Sequence, residues 1–170
     1  MTVFETPRLL LRRPEPADFS WFFSAMSDPV VMRYIRTPMT EEQAVRDRIA
    51  SWEVYREQFP NLGVFVAVQK SDGAFAGYCV ARHVNFDTES TEIEIGYTFL
   101  KPHWGMGLAS ELVPVLCQYG FAHSRAPYLV AFTDPENQAS QRVLLKNGFE
   151  LFGQRKVYEG ISNEYRLHAQ

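Results

Sequence analysis

Cysteine, histidine and net positive charge are all scarce in this 170-residue chain. The two cysteines, Cys79 and Cys117, each sit inside an apolar stretch, so buried free thiols are expected rather than a disulfide or a metal pair. The four histidines, His83, His103, His123 and His168, show no ligand spacing with one another or with the cysteines, and no metal is expected. Lys plus Arg is 17 against 20 Asp plus Glu, a net charge of −3 without the basic excess of a nucleic-acid binder. No run approaches the roughly 18 apolar residues of a membrane span, and no basic segment leads into a signal-length apolar run. A soluble cytoplasmic protein is the expectation. Repeats, low-complexity tracts and interdomain linkers are also missing, and 46% hydrophobic residues can fill one core, which predicts a single domain over residues 1–170.

What is present centres on residues 92–122. Ile93, Ile95, Tyr97 and Phe99 alternate with Glu94, Gly96 and Thr98, the period-2 pattern of a strand, with Glu92 and Glu94 on its even face. Beyond Leu100, the run Trp104, Gly105, Met106, Gly107, Leu108, Ala109 has two glycines and no alternation, and reads as a loop. Leu108, Leu112, Val115, Leu116, Tyr119 and Ala122 then recur at helical spacing, so the loop opens into a helix N-terminus. Free main-chain N–H groups at a positive helix end, approached past glycines, suit a phosphate or pyrophosphate. A P-loop would need Lys and Ser or Thr where Leu108 and Ala109 stand. The dinucleotide fingerprint would need Gly or Ala at Ser110 and an acidic residue about 20 positions on, and Asp134 lies too far along. Plain turn chemistry before a helix is the competing reading.

The rest of the chain supplies layers around this stretch. Residues 8–13 read as a strand, Pro14 and Pro16 stop it, and a helix follows over 17–26 with Phe19, Phe22, Phe23 and Met26 as its apolar stripe. Asp28 and Pro29 mark its end, and residues 30–35 are ambiguous between loop and helical turn. Thr40 and Gln43 form a capping-box pattern, predicting a helix over 41–58 with Ala44, Ile49, Trp52 and Tyr55 inward. Strands at 64–70 and 75–82 flank the turn Ser71, Asp72, Gly73 as a hairpin. A polar loop over 85–90 leads to the central strand. Residues 128–133 are another strand, Asn137 is placed to cap a helix ending near Asn147, and Gly148 suits its left-handed terminus. Strands over 149–158 and 163–168 close the chain, joined through Gly160. The expected fold is α/β (α+β), about seven strands in a mixed sheet with about four helices on both faces.

The run Glu94, Ile95, Gly96, Tyr97, followed by Trp104, Gly105, Met106, Gly107, Leu108, Ala109, Ser110, Glu111, resembles the acetyl-coenzyme A loop of the GNAT N-acetyltransferases. The branch it is most similar to includes the ribosomal-protein N-terminal (alanine) acetyltransferases. Asn137, Ser140, Lys146, Gly148 and Phe149 match that family's second motif, and Thr6, Pro7, Arg8, Leu9, Leu10, Leu11, Arg12 with Asp18 resembles the branch's opening. The resemblance spans essentially the whole chain. It implies a V-shaped gap between the fourth and fifth strands that receives the pantetheine arm of acetyl-CoA.

What the resemblance implies for chemistry is direct acetyl transfer from acetyl-CoA to a primary amine in a ternary complex. The amine would belong to a protein N-terminus or to a small molecule such as a polyamine, amino acid or antibiotic; no nucleic acid or membrane is expected as partner, and a homodimer stays open. Holding a lysine amine neutral at pH 7 costs about 4.6 kcal/mol, whereas an α-amino group is already partly neutral, so the need for a base depends on the acceptor. Glu94 is the candidate base, through a water. Glu92, one repeat along, pairs with it to raise one carboxyl or to attract a cation, with a solvated polar strand face as the alternative. Backbone groups of Trp104, Gly105, Met106, Gly107, Leu108 and Ala109 would bind the pyrophosphate, the two glycines sitting where a side chain would obstruct. Phe99 and Leu100 would offer main-chain groups to the pantetheine amides, and Asn137 would contact the same arm. Ser140 is a candidate donor to the departing thiolate, because Leu144 occupies the position where many relatives carry a tyrosine acid. Neither cysteine falls in these motifs, which argues against an acetyl-enzyme. Pro114 breaks the helix pattern without a functional reason. The alternative is a non-catalytic acyl-CoA-binding sensor module.

Overall fold

The expected central strand forms as β5 (Ile93–Phe99), and the path of its neighbours decides where a ligand can enter. In the computed structural model, which describes residues 1–169, it lies inside an eight-stranded sheet. The other strands are β1 (Thr2–Glu5), β2 (Leu9–Arg12), β3 (Gly63–Gln69), β4 (Phe75–His83), β6 (Tyr128–Thr133), β7 (Glu150–Val157) and β8 (Gly160–His168), in the order β1-β2-β3-β4-β5-β6-β8-β7. Neighbours are antiparallel except β5 and β6, which run parallel and pair only at Ile93 with Leu129 and Glu94 with Val130. Beyond Glu94 the two strands diverge. This is the gap that the family resemblance implied, between the strands counted fourth and fifth from the sequence.

The helices are α1 (Phe19–Ser27), α2 (Pro29–Met32), α3 (Glu42–Gln58), α4 (Leu108–Ala122) and α5 (Gln138–Lys146). Strand periodicity sorts side chains between two cores. Val64 and Val66 of β3 face Phe22, Met26, Val45 and Trp52 of α1 and α3, whereas Phe65 and Ala67 face the opposite layer with Leu112 and Leu116 of α4. Gly120 lets α4 approach closely, since a Cβ there would stand 3.1 Å from Ile95 Cδ1 and 3.4 Å from Leu129 Cδ2. Pro114 is on the exposed side of α4, so the backbone bond it removes faces solvent rather than the core. Cys79 and Cys117 are buried free thiols. Among the described residues no helix is long and apolar enough to cross a membrane, and no group of three or more His, Cys, Asp or Glu is gathered to hold a metal.

Several local expectations are corrected. There are eight strands rather than about seven, because the four residues of β1 pair with β2 around the turn at residues 6–8 and carry too little pattern to declare themselves. The fifth helix is α2: Asp28 ends α1 but also caps the next turn, its Oδ1 accepting from Val30 N–H at 2.8 Å, with Pro29 as first helical residue. The Thr40 capping box does not form; Glu41 is the N-cap and makes no side-chain bond. In α3 the buried positions are Val45, Trp52 and Tyr55, and Ala44 is exposed, since its single methyl supplies little drive to turn the helix its way. The last hairpin turns at Tyr158 and Glu159, with Gly160 already paired to Val157. Asn137 and Gly148 behave as expected: Asn137 Oδ1 accepts from Ser140 N–H at 3.2 Å, and Gly148 takes φ +85° while Phe149 N–H returns to Leu144 C=O at 3.1 Å.

β4 carries one position that depends on backbone contact. A Cβ at Gly77 would lie 2.0 Å from the Thr98 carbonyl oxygen and 2.9 Å from Phe99 Cα, so only hydrogen fits between the chains where β5 delivers its end to the glycine loop. Gly77→Ala is expected to lower the unfolding free energy by about 2–3 kcal/mol, an overpacking cost with no flexible side chain to give way. Urea unfolding followed by circular dichroism measures it; an unchanged midpoint would contradict this packing.

Candidate active site

Beyond the parallel pairing, the ends of β5 and β6 lead to α4 and α5, whose N-termini therefore flank the same crevice. The loop after β5 takes left-handed conformations at Gly105 (φ +70°) and Gly107 (φ +75°), the latter being the N-cap of α4. That conformation is the reason for glycine here: a Cβ at Gly105 would meet nothing within 4 Å, and one at Gly107 only Arg8 Nη2 at 3.6 Å. The main-chain N–H groups of residues 105–110 donate to no acceptor among the described residues, and the first α4 bond is Glu111 N–H to Gly107 C=O at 3.1 Å. Six donors are thus left together at a positive helix end.

A clamp that sequence reading did not foresee holds this loop. Glu111, in the first turn of α4, accepts from Thr6 Oγ1 at 2.5 Å and from Arg8 N–H at 2.8 Å, and pairs with Arg8 Nε at 2.7 Å. Arg8 in turn donates from Nη1 to the Met106 carbonyl at 2.8 Å. Desolvation alone would raise the Glu111 carboxyl, but the bonds from Thr6 and Arg8 outweigh it and hold the group below the usual carboxylate range. The Thr6, Pro7, Arg8 opening, quoted for its resemblance, thereby acquires a structural part: it ties the start of the chain to the loop.

Trp104 donates its indole N–H to the Phe99 carbonyl at 2.7 Å. Leu100 N–H bonds to Ala76 C=O at 2.9 Å, and Leu100 C=O accepts from His103 N–H at 2.9 Å. These groups, expected to face a pantetheine arm, already have protein partners. The edge of β5 that turns away from β6 lies earlier, over residues 95–98. A cavity of about 380 Å³ runs from the loop past Phe99 and Leu108 to Asn137, Ser140 and Val143 of the α5 end.

Glu94 is only 7% exposed, so the solvated-face reading fails. Its Oε2 accepts from the Tyr158 hydroxyl and lies 3.1 Å from Arg82 Nη2. Arg82 also donates to the Tyr158 oxygen at 3.1 Å, and Asn85 N–H reaches that oxygen at 3.4 Å. No protein donor is assigned to Oε1, which would stand 3.9 Å from a Cβ at Gly96. Among the described residues, the three non-glycine positions with positive φ are Asn85 (52°), Phe86 (58°) and Tyr158 (56°), and all three surround this carboxylate and its arginine. Backbone strain is thus gathered around one buried charge.

The paired-carboxylate expectation is not met. Glu92 turns to other partners, Arg155 Nη2 at 2.7 Å, Tyr128 Oη at 3.2 Å and Arg166 Nη2 at 3.9 Å. The Arg155 hydrogen bond, against the cost of burial, holds its carboxyl below the usual range, and the group braces β5 against β6, β7 and β8. A second cavity, of about 150 Å³, is lined by Glu94, Arg82 and Tyr158 and shares Tyr34, Ile35, Tyr97, Thr98 and Ser140 with the first. At that junction Tyr97 Oη and Ser140 Oγ are 3.2 Å apart. Burial pushes the Tyr97 phenol up, so it stays protonated at neutral pH. Leu144, 2% exposed, lines the Glu94 cavity and has nothing to donate. The alternation had placed Tyr97 inward as an apolar residue, and its hydroxyl was the signal overlooked.

Residues 8–150 match a family model described as an acetyltransferase (GNAT) domain. An uncharacterized N-acetyltransferase of Bacillus licheniformis, p20, is 33% identical over 94% of this chain and 88% of its own. An acetyltransferase structure from Agrobacterium tumefaciens superposes with a TM-score of 0.82 at 23% identity, covering 98% of this chain and 94% of its own. A ribosomal-protein alpha-N acetyltransferase solved with coenzyme A gives a TM-score of 0.81 at 16% identity, covering 99% and 98%. The two structures share the fold, and the family match covers the diverging strands, the glycine loop and the Asn137 helix alike: the chain belongs to the GNAT family of acetyltransferases.

Proposed function

We propose that this acetyltransferase moves an acetyl group from acetyl-CoA to a primary amine within one ternary complex, with Glu94 as base and the Tyr97 and Ser140 hydroxyls serving the leaving sulfur. The observation that carries this reading is the junction of the two cavities. One leads from six unpartnered N–H groups at the α4 end, the other from a buried carboxylate, and they meet at a pair of hydroxyls. The pyrophosphate would lie on the amides of residues 105–110, left open by Gly105 and Gly107 and reached past Trp104, Met106, Leu108 and Ala109. That a fold neighbour was solved with coenzyme A supports this placement. The pantetheine arm would take its strand-like bonds from the β5 edge over residues 95–98 rather than from Phe99 and Leu100, and Asn137, whose Oδ1 is spent on Ser140 N–H, would donate from its amide nitrogen.

Proton accounting follows from these positions. An ammonium gives one proton to Glu94 Oε1, directly or through a water, before its nitrogen attacks the thioester carbonyl. The new C–N bond forms as C–S breaks, the sulfur takes a proton from the Tyr97 and Ser140 pair, the nitrogen's second proton replaces it through water, and Glu94 releases the first proton to solvent. Arg82 and Tyr158 orient Glu94 by an ion pair and a hydrogen bond to its Oε2. Burial pushes both thiols up, Cys117 to about 12, so neither is a ready nucleophile and no acetyl-enzyme is needed.

Thiol release from acetyl-CoA with a panel of amines, beside calorimetric binding of coenzyme A, tests the reading. Glu94→Gln, which keeps the shape and a hydrogen-bonding oxygen, is expected to lower kcat by about 10²- to 10⁴-fold with coenzyme A affinity essentially unchanged. Retained turnover would remove Glu94 from the base role. Tyr97→Phe and Ser140→Ala are each expected to lower kcat, and the double variant to lose less than the product of the two, because they act as one hydroxyl pair; full multiplicativity would show independent roles. Arg8→Ala frees the Met106 carbonyl and Glu111, and is expected to weaken coenzyme A binding by about tenfold while kcat at saturation changes little. Unaltered affinity would mean that the loop holds its shape without the clamp.

A further inference from the structure

The wall of the Glu94 cavity carries more positive charge than its chemistry needs. Arg36, Arg48 and Arg82 all line it. Arg82 is matched by Glu94 at 3.1 Å, but no carboxylate is within ion-pair distance of Arg36 or Arg48 among the described residues. Two acids lie near them. Asp134 lines the cavity and accepts from Glu136 N–H at 2.8 Å, and Glu159 holds Thr37 N–H at 2.6 Å and its hydroxyl at 3.0 Å while its charge acts on Arg36 and Arg48 from an exposed position beyond ion-pair distance. Two guanidinium nitrogens are left over in the interior: Nε of Arg48 and Nε of Arg82, both inaccessible to solvent and without a hydrogen-bond partner among the described residues, Arg82 as a residue being only 7% exposed. Burial and repulsion from Arg36 push the Arg48 guanidinium down, against an exposed arginine's range. Both Nε atoms are closed to a water molecule, so what an anion in the cavity would meet is the guanidinium charge of Arg48 and Arg36 on its wall.

Resting on the acetyltransferase reading above, we infer that the acceptor is a small amine of amino-acid size that carries an anionic group, a carboxylate or phosphonate, held by Arg48 with Arg36 while its amine faces Glu94. A guanidinium fork is matched to such planar or tetrahedral oxyanions. A zwitterion meets charges of both signs on the cavity wall, Glu94 for its amine and Arg48 with Arg36 for its anion, and the volume of about 150 Å³ suits a molecule of that size. A polyamine or aminoglycoside brings further cations against the arginines, and like charges in a buried place discriminate strongly.

Matched acceptors test this with thiol release and calorimetry: glycine, aspartate and aminomethylphosphonate against glycinamide, ethylamine and spermidine, and an acidic tetrapeptide with a free N-terminus. The expected result is turnover of the anion-bearing small amines at least about tenfold above their uncharged or cationic counterparts. Arg48→Gln raises KM for those amines by about ten- to a hundredfold, Arg48→Lys recovers part of it, and Arg36→Gln acts in the same direction more weakly. Equal or better turnover of ethylamine or spermidine, turnover of the peptide alone, or discrimination untouched by Arg48→Gln and Arg36→Gln overturns the anion site. So does the absence of turnover with every amine in protein that binds coenzyme A. Failure to bind coenzyme A at all instead overturns the acetyltransferase reading beneath it.

Discussion

The structure depends on a parallel pair of strands that stops pairing after two residues. β5 and β6 are joined at Ile93 and Glu94 and then separate, so the sheet has an interior edge as well as its two outer ones. Unpaired main-chain groups inside a protein are costly, and this edge is tolerable only where something else bonds it. The same divergence brings the start of α4 and the start of α5 to one crevice, since each helix follows the carboxyl end of one of the two strands. An extended polar ligand with an anionic end satisfies both demands, its amides along the strand edge and its phosphates at the glycine loop. Gly77, Gly105, Gly107 and Gly120 all serve that arrangement, by letting β4 touch the end of β5, by turning the loop and by letting α4 lie flat against both strands.

The carboxylate at the other end of the crevice is a case of charge retained against stability. Burying an ion pair seldom repays its desolvation, whereas removing one member from a buried pair costs about 3–5 kcal/mol. Here the pair comes with three strained backbone positions and an arginine Nε that no protein atom satisfies. Tyr158 is instructive, because a left-handed tyrosine at a hairpin turn is unfavourable by itself and is held there by its bonds to Glu94 and Arg82. An apolar substitute set would fold more comfortably. The arrangement fixes the position of the carboxylate, which the proposed base role asks for and stability does not.

Legibility in the sequence divided along sequence separation. The alternation of 93–99, the glycine loop, the register of α4, the Asn137 cap and the Gly148 terminus were readable because each rests on contacts within a few residues, where period and capping chemistry speak directly. Even so, Thr40 shows that a capping pattern can be present and unused when the apolar face starts the helix one residue later. Glu94 was found, but its surroundings were not. Tyr158 lies 64 residues away, and the Thr6 to Glu111 bond closes a separation of 105, distances at which no periodicity carries information. Arg48 falls outside the inward set that periodicity picks for its helix, and only the fold puts it on the wall of a cavity.

The two ends of the crevice offer positive charge by different means. At the loop, neutral amides and a helix end spread small partial charges over several donors and tolerate any side chain that leaves them free. That is an economical way to hold a common handle, since it asks nothing of the sequence beyond glycine conformation and a brace such as Arg8. In the Glu94 cavity the cations are whole charges on long side chains, Arg36 and Arg48, drawn from the segment after α2 and from α3. Full charges in a low-dielectric wall discriminate between acceptors far more sharply than dipoles do. Because Arg36 and Arg48 lie outside the lining of the glycine-loop cavity, the proposed acceptor site could change by substitution there while the loop and Glu94 stay intact.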